Sequence, residues 1–189
     1  MEELSALYTA VMYSSMGFIS AKKIVLDNSS GKVWLIGGSV YRNIAHILYG
    51  ADKPKVDFDF IIESPKENII LPKGWKLGKN HYGNPKFLGR RFSIDFVPLH
   101  NISSILRRKL APSIKNYLTG TPLTVQSIAY DVKGGKLAGE IGLKAIAEKT
   151  IGINNKEQAQ IYALKKGISI EEMVRRKSES LGFTPLIRQ

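Results

Sequence analysis

Lys32-Val-Trp-Leu-Ile-Gly37-Gly38-Ser39-Val-Tyr-Arg42-Asn43 is followed, one helix length later, by Val56-Asp57-Phe-Asp59-Phe-Ile-Ile62. The first stretch is an apolar run that stops at a glycine pair. Val40 to Tyr49 then reads as a helix closed by Gly50, so a strand, a glycine turn and a helix stand in that order. The second stretch is rich in β-formers, and two aspartates inside it run against strand propensity. Side chains alternate along a strand, so Asp57 and Asp59 leave one face about 6.5–7 Å apart while Phe58 and Phe60 point to the other. Strand, turn, helix and strand in sequence open an α/β or α+β unit.

Working outward, Phe87-Leu88 and Phe92-Ser-Ile-Asp95-Phe-Val97 predict a hairpin around Gly89-Arg90-Arg91. Asp95 sits between apolar neighbours, as Asp57 and Asp59 do, and an adjacent strand would bring it within about 5 Å of that pair. Three carboxylates gathered on one sheet face repel one another unless a cation lies between them. Hard divalent ions take oxygen ligands, and two of them roughly 3.5–4 Å apart clamp the attacking and leaving oxygens of a phosphoryl-type transfer. The Gly37-Gly38-Ser39 turn supplies the complement, since a strand running through glycines into a helix N-terminus presents backbone N–H groups to phosphate oxygens. No third glycine follows at dinucleotide-binding spacing, and no Gly-Lys-Ser/Thr follows as in a P-loop.

The 189 residues hold 28 Lys plus Arg against 16 Asp plus Glu, a net charge of +12 that favours a polyanionic partner. With no cysteine, a disulfide-stapled fold, Cys-ligated zinc, an iron–sulfur centre and a thiol nucleophile are all excluded. No apolar run approaches the roughly 20 residues of a membrane span, and Met1-Glu2-Glu3 lacks a signal-peptide start, so a cytoplasmic protein without a membrane partner is expected. A helix over 2–17, apolar at Leu4, Leu7, Tyr8, Val11 and Met12, is predicted to end at Gly17. A turn is expected at Asp52–Lys55. Residues 63–89 read as loop-rich, with one short strand near Trp75, and residues 101–118 as two helical pieces split by Pro112. A second hairpin is expected from Thr124–Val132 and Lys136-Leu137 across Lys133-Gly-Gly135. Breaks near Gly152 and Gly167 leave two short amphipathic helices, around Gln158–Lys165 and Ile170–Leu181. The predicted organisation is a head over 1–153 and a helical extension over 154–189.

Among the basic residues, Lys86, Arg90 and Arg91 lie on the hairpin that carries Asp95 and are the RNA-contacting candidates. Arg107-Arg-Lys109 and Arg175-Arg-Lys177 could contact phosphates, although short basic clusters at helix ends more often only complement the helix dipole. His46, His81 and His100 have no spacing that groups them. Trp34 reads as core, and Trp75 and Tyr82 as residues that could stack on a base.

Taken together, Gly37-Gly38-Ser-Val-Tyr-Arg-Asn43, Asp57-Phe-Asp59, Asp95 and Thr124-Val-Gln-Ser-Ile-Ala-Tyr-Asp131 resemble the head domain of the polymerase β-like nucleotidyltransferase superfamily over roughly residues 30 to 150. The likeness is greatest to the branch of bacterial poly(A) polymerases and CCA-adding tRNA nucleotidyltransferases. It implies an α+β fold, a short mixed β-sheet with helices packed on one face and a small helical C-terminal extension. Gly37, Gly38 and Ser39 would hold the triphosphate, and Arg42 is the arginine of the turn motif. Asp57 and Asp59 would ligate two Mg²⁺ ions, Mn²⁺ substituting. Asp95 would be the third carboxylate, at the metals and at the incoming hydroxyl. The expected partners are an NTP, ATP first, and an RNA acceptor. Asn43 stands where the family has aspartate and Gln126 where it has asparagine, and no segment resembles its base-selecting Glu-Asp-x-x-Arg helix. Two other readings use the same fold: a minimal, toxin-like nucleotidyltransferase that modifies a protein or a tRNA end, and an inactive module that binds nucleotide or RNA.

Overall fold

The computed structural model describes residues 2–52 and 57–187, so most of the turn expected at Asp52–Lys55 lies outside the described residues. Helices α1 (Glu2–Tyr13) and α2 (Met16–Asp27) lead into strand β1 (Val33–Ile36), helix α3 (Gly38–Tyr49) and strand β2 (Phe58–Ile62). Strands β3 (Lys76–Lys79), β4 (Pro85–Leu88) and β5 (Ser93–Pro98) follow, then two single-turn helices, α4 (Ser103–Arg107) and α5 (Ile114–Leu118). The hairpin β6 (Ala129–Asp131) and β7 (Lys136–Ala138) precedes α6 (Glu140–Ala147) and β8 (Thr150–Ile151). The chain closes with α7 (Lys156–Lys166), α8 (Ile170–Glu179) and β9 (Thr184–Pro185).

Seven strands form one mixed sheet in the order β3-β4-β5-β2-β1-β6-β7. β2 and β5 run parallel and the other neighbours are antiparallel. Alternation divides the strands between two cores. Val33, Leu35, Phe58, Phe60, Phe87, Ile94 and Phe96 are buried on one face against Tyr8, Phe18, Val40 and Ile44 of the first three helices. Trp34 and Ile61 point the other way, into a smaller cluster with Leu99, Ile102, Ile105 and Leu118. The mixed sheet with helices on one face is therefore the fold expected, and α4 and α5 cover part of the second face as well. Among the described residues no helix is long and apolar enough to cross a membrane.

The N-terminus differs from its sequence reading. The helix predicted over 2–17 ends at Tyr13, and a second one starts at Met16. Ser15 caps it, its hydroxyl accepting from the Phe18 N–H at 3.4 Å, so Gly17 belongs to the first turn of α2 rather than to a stop. The C-terminal residues were expected as an appendage, yet Ala159, Met173, Val174, Leu181 and Phe183 enter the same core as the sheet. Asn155 and Ser169 cap α7 and α8, accepting from Gln158 N–H and Glu172 N–H at 3.0 Å each. α7 is thereby fixed against the body of the molecule, where it walls the site.

Candidate active site

β1 ends, and β2 and β5 begin, at the same end of the sheet, so the register brings one row of residues together there. Gly78 pairs with Lys86, Lys86 with Asp95, Asp95 with Asp59, and Asp59 with Ile36. The two aspartates are lateral neighbours on parallel strands and share a face, the one opposite Phe58, Phe60, Ile94 and Phe96. Asp57 lies one residue before β2, and its Oδ1 accepts from the Ser93 hydroxyl at 3.0 Å and the Ser93 N–H at 3.4 Å. It thus stands at the rim of the pair, held by a residue of β5.

The first residue after β1, Gly37, has φ +73° and ψ −152°, a region that only glycine occupies without strain. A Cβ there would come within 2.7 Å of Asp59 Oδ2, so the turn backbone lies directly against the carboxylate. Ser39, expected to offer its hydroxyl to phosphate, instead donates it to the Ile36 carbonyl at 3.1 Å. The Ser39 carbonyl accepts from Tyr8 Oη at 3.0 Å and from Asn43 Nδ2 at 2.7 Å. Asn43 therefore braces the turn with an amide donor that aspartate lacks. Arg42, the arginine of the turn motif, is engaged away from the cavity. Its guanidinium donates to Ser180 Oγ at 3.2 Å, because this position on α3 faces the end of α8.

Burial, and then the neighbouring Asp95 carboxylate, push the Asp59 carboxyl up from 3.8 to about 7. Lys86 works in the opposite direction. Its Nζ lies 3.5 Å from Asp95 Oδ1, an ion pair without a hydrogen bond, and that buried oxygen has no hydrogen-bond partner. Lys86 is thus turned to Asp95 rather than outward as an RNA contact, since an antiparallel partner directly opposite projects on the same face. Arg90 and Arg91 are exposed in the turn between β4 and β5.

A cavity of about 330 Å³ opens over this face, with Gly37, Asp59 and Asp95 among its lining. Its other walls come from the β3–β4 loop, from α4 and α5, and from α7. Arg107, read from sequence as a phosphate contact or a dipole complement, lines it and donates to Gln158 Oε1. The buried Nε2 of Gln158 is left without a partner. Among the described residues, no carboxylate is in ion-pair contact with Arg107. Tyr117 also lines the cavity, its phenol held well above the usual range by burial and then by the Asp59 charge, so it remains a donor. From α7 come Gln158, Ile161, Tyr162 and Lys165, an i, i+3, i+4, i+7 face. That spacing was the available signal for them. Tyr82 lines the mouth with Lys165 Nζ 4.5 Å above its ring, whereas Trp75 packs edge-on to Phe92 at the margin of the core.

Among the described residues, no group of three or more His, Asp or Glu is arranged to hold a metal ion. The pair nevertheless fits a hard divalent cation. Two adjacent carboxylates form an all-oxygen donor set, one buried oxygen lacks a hydrogen bond, and Mg²⁺ typically takes one or two carboxylates with substrate phosphates completing its sphere.

The chain is similar to a CCA-adding enzyme solved with CTP, at 16% identity and a TM-score of 0.56 over 82% of this chain and 36% of that one. It is similar to a tRNA-processing enzyme with CTP, at 20% identity and a TM-score of 0.54 over 82% of this chain and 40% of that one. A tRNA nucleotidyltransferase complexed with a primer tRNA and an incoming ATP analog gives 17% identity and a TM-score of 0.54, over 82% and 43%. The chain has the nucleotidyltransferase fold. It spans about two fifths of the length of these structures. No protein-family model and no curated protein matches it. In this nucleotidyltransferase fold, Gly37, Asp59 and Asp95 are brought together under one cavity, with Asp57 at the rim, while Ser39 and Arg42 are engaged elsewhere.

Proposed function

We propose that this chain is a metal-dependent nucleotidyltransferase that moves a nucleoside monophosphate from an NTP to a hydroxyl of an RNA acceptor. The observation that carries the reading is the Asp59–Asp95 pair, side by side in register at the floor of the cavity and pressed against the Gly37 turn. Asp59 and Asp95 would hold the divalent cation, with Asp57, at the rim of the pair, as the further carboxylate. Bound Mg²⁺ supplies charge neutralisation around the reacting phosphate. The acceptor oxygen forms a bond to the α-phosphorus as its proton passes to the Asp95 carboxylate, the bond from the α-phosphorus to the α–β bridging oxygen breaks, and pyrophosphate leaves. Asp95 accepts the hydroxyl's hydrogen bond and orients it, and the Gly37 and Gly38 backbone lies beside the triphosphate. Positioning and electrostatics carry most of the acceleration.

Arg107 is the cation with which the cavity meets the triphosphate, because among the described residues its hydrogen-bond partner is a neutral amide. Arg107→Ala should raise KM for the NTP about tenfold with kcat within about twofold, the pattern of a lost ground-state contact. Steady-state kinetics over an NTP series reads this directly.

RNA as acceptor is supported by the charge of +12 and by the exposed Arg90 and Arg91 in the turn of the hairpin that carries Asp95. Binding to a single-stranded oligonucleotide should weaken steeply with salt, with a log–log slope of about −0.7 per phosphate contact, and the double Arg90→Glu, Arg91→Glu variant should flatten it. A flat response in the unmodified protein would leave a protein or small-molecule acceptor. The function itself is tested by incubating the protein with each of the four α-labelled NTPs, Mg²⁺, and total RNA or total protein. Label should pass to RNA with one NTP preferred.

A further inference from the structure

We propose that Lys86 is a resident counter-cation of the carboxylate pair, one that a divalent ion must displace before the site is competent. The inference rests on the metal-site reading above and adds a role for a residue of β4. Across the sheet, the row Lys86, Asp95, Asp59 places one positive charge beside two negative ones. Among the described residues, Lys86 is the one ammonium or guanidinium in ion-pair contact with either aspartate. It approaches Oδ1 of Asp95, the buried oxygen that lacks a hydrogen bond and that a metal ion would take. On the far side of Lys86 the register partner is Gly78, which offers no side chain to hold the lysine stem in place. A lysine has a flexible four-carbon stem and a hydrated head, so it can leave the pair when a doubly charged ion arrives, whereas a planar guanidinium would bind the carboxylate more rigidly.

Two opposed effects follow for Lys86→Met. Without metal the pair loses the one cation that, among the described residues, is in ion-pair contact with it, and the protein should melt lower than the wild type. With metal the competitor is gone, and Mn²⁺ should bind about tenfold tighter, the size expected for one partly exposed unit charge a few ångströms from the ligand oxygen. Lys86→Arg keeps the charge and should show wild-type or weaker Mn²⁺ affinity. A structural lysine would lower stability and metal affinity together, so the opposite signs separate the two roles.

Mn²⁺ alone, titrated against the full chain and followed by electron paramagnetic resonance, with melting measured in parallel without metal, makes the test. Asp95→Asn serves as the control for the site. If the wild type binds Mn²⁺ and Asp95→Asn does not, the metal site stands, and unchanged or weaker binding by Lys86→Met then overturns the role of Lys86 alone. If Asp95→Asn binds as the wild type does, or neither binds, the site and the inference fail together.

Discussion

Asp59→Asn should reduce nucleotide transfer by at least about 10³-fold and at the same time make the metal-free protein more stable above neutral pH. The loss follows from removing one charge of the carboxylate ligand set in a reaction that depends on charge neutralisation. The gain follows from the same crowding. In the folded, metal-free protein the Asp59 carboxyl is raised from 3.8 to about 7, by burial first and by Asp95 second. A raised folded value means that the native state binds the proton more tightly than the unfolded chain does, so stability falls as pH rises from about 4 to about 7 and stays low above it. Asparagine carries no charge to bury. The melting difference in favour of the variant should therefore be largest above pH 7, of order 1–3 kcal/mol, and should shrink toward pH 4. Thermal melts in chelator across that range read the sign, and added Mn²⁺ should reverse the order by stabilising only the wild type.

Gly37→Ala should be the most damaging single change in the turn, and Gly38→Ala a mild one. Gly37 combines φ +73° and ψ −152° with a Cβ position 2.7 Å from Asp59 Oδ2. The backbone conformation alone costs an L-residue of order 1–3 kcal/mol, and the new methyl group would also push Asp59 away from Asp95. Stability should drop by about 2–4 kcal/mol and transfer by at least about a hundredfold. Gly38 begins α3, and a Cβ there meets nothing nearer than Arg42 Cδ at 3.7 Å, so alanine should change stability by well under about 1 kcal/mol. Denaturation and activity of the two variants, side by side, separate a turn that needs one glycine from one that needs both.

Both glycines look alike in the sequence, and only the backbone angles distinguish them. The Asp59–Asp95 pairing was legible, because strand alternation has a period of two and each aspartate interrupts an apolar run whose other face is the core. The β1, Gly37 and α3 unit was legible for a related reason, since the turn needs glycine and α3 ends at Gly50 with φ +69°. Side-chain direction on a helix surface was not. Arg42 and Ser39 lie in the motif, but the first reaches Ser180 and the second closes the turn onto Ile36. Arg107, Tyr117 and the inner face of α7 come to the cavity only through packing between segments distant in sequence, which local patterns do not encode. Lys86 was read as an RNA contact on the hairpin that carries Asp95, and its pairing with that carboxylate is set by the β4–β5 register and not by its neighbours in the chain.

The central claim is that the Asp59–Asp95 pair supports metal-dependent transfer from an NTP. Its most direct test is transfer of label from an α-labelled NTP to RNA, measured with Mg²⁺ and with chelator for the wild type and for Asp95→Asn, a variant whose folding is confirmed beforehand. Label transfer that needs Mg²⁺ and is lost in Asp95→Asn is the predicted result. Transfer by the wild type that persists in Asp95→Asn, or folded wild-type protein that transfers no label from any of the four NTPs to RNA or to protein, would contradict it.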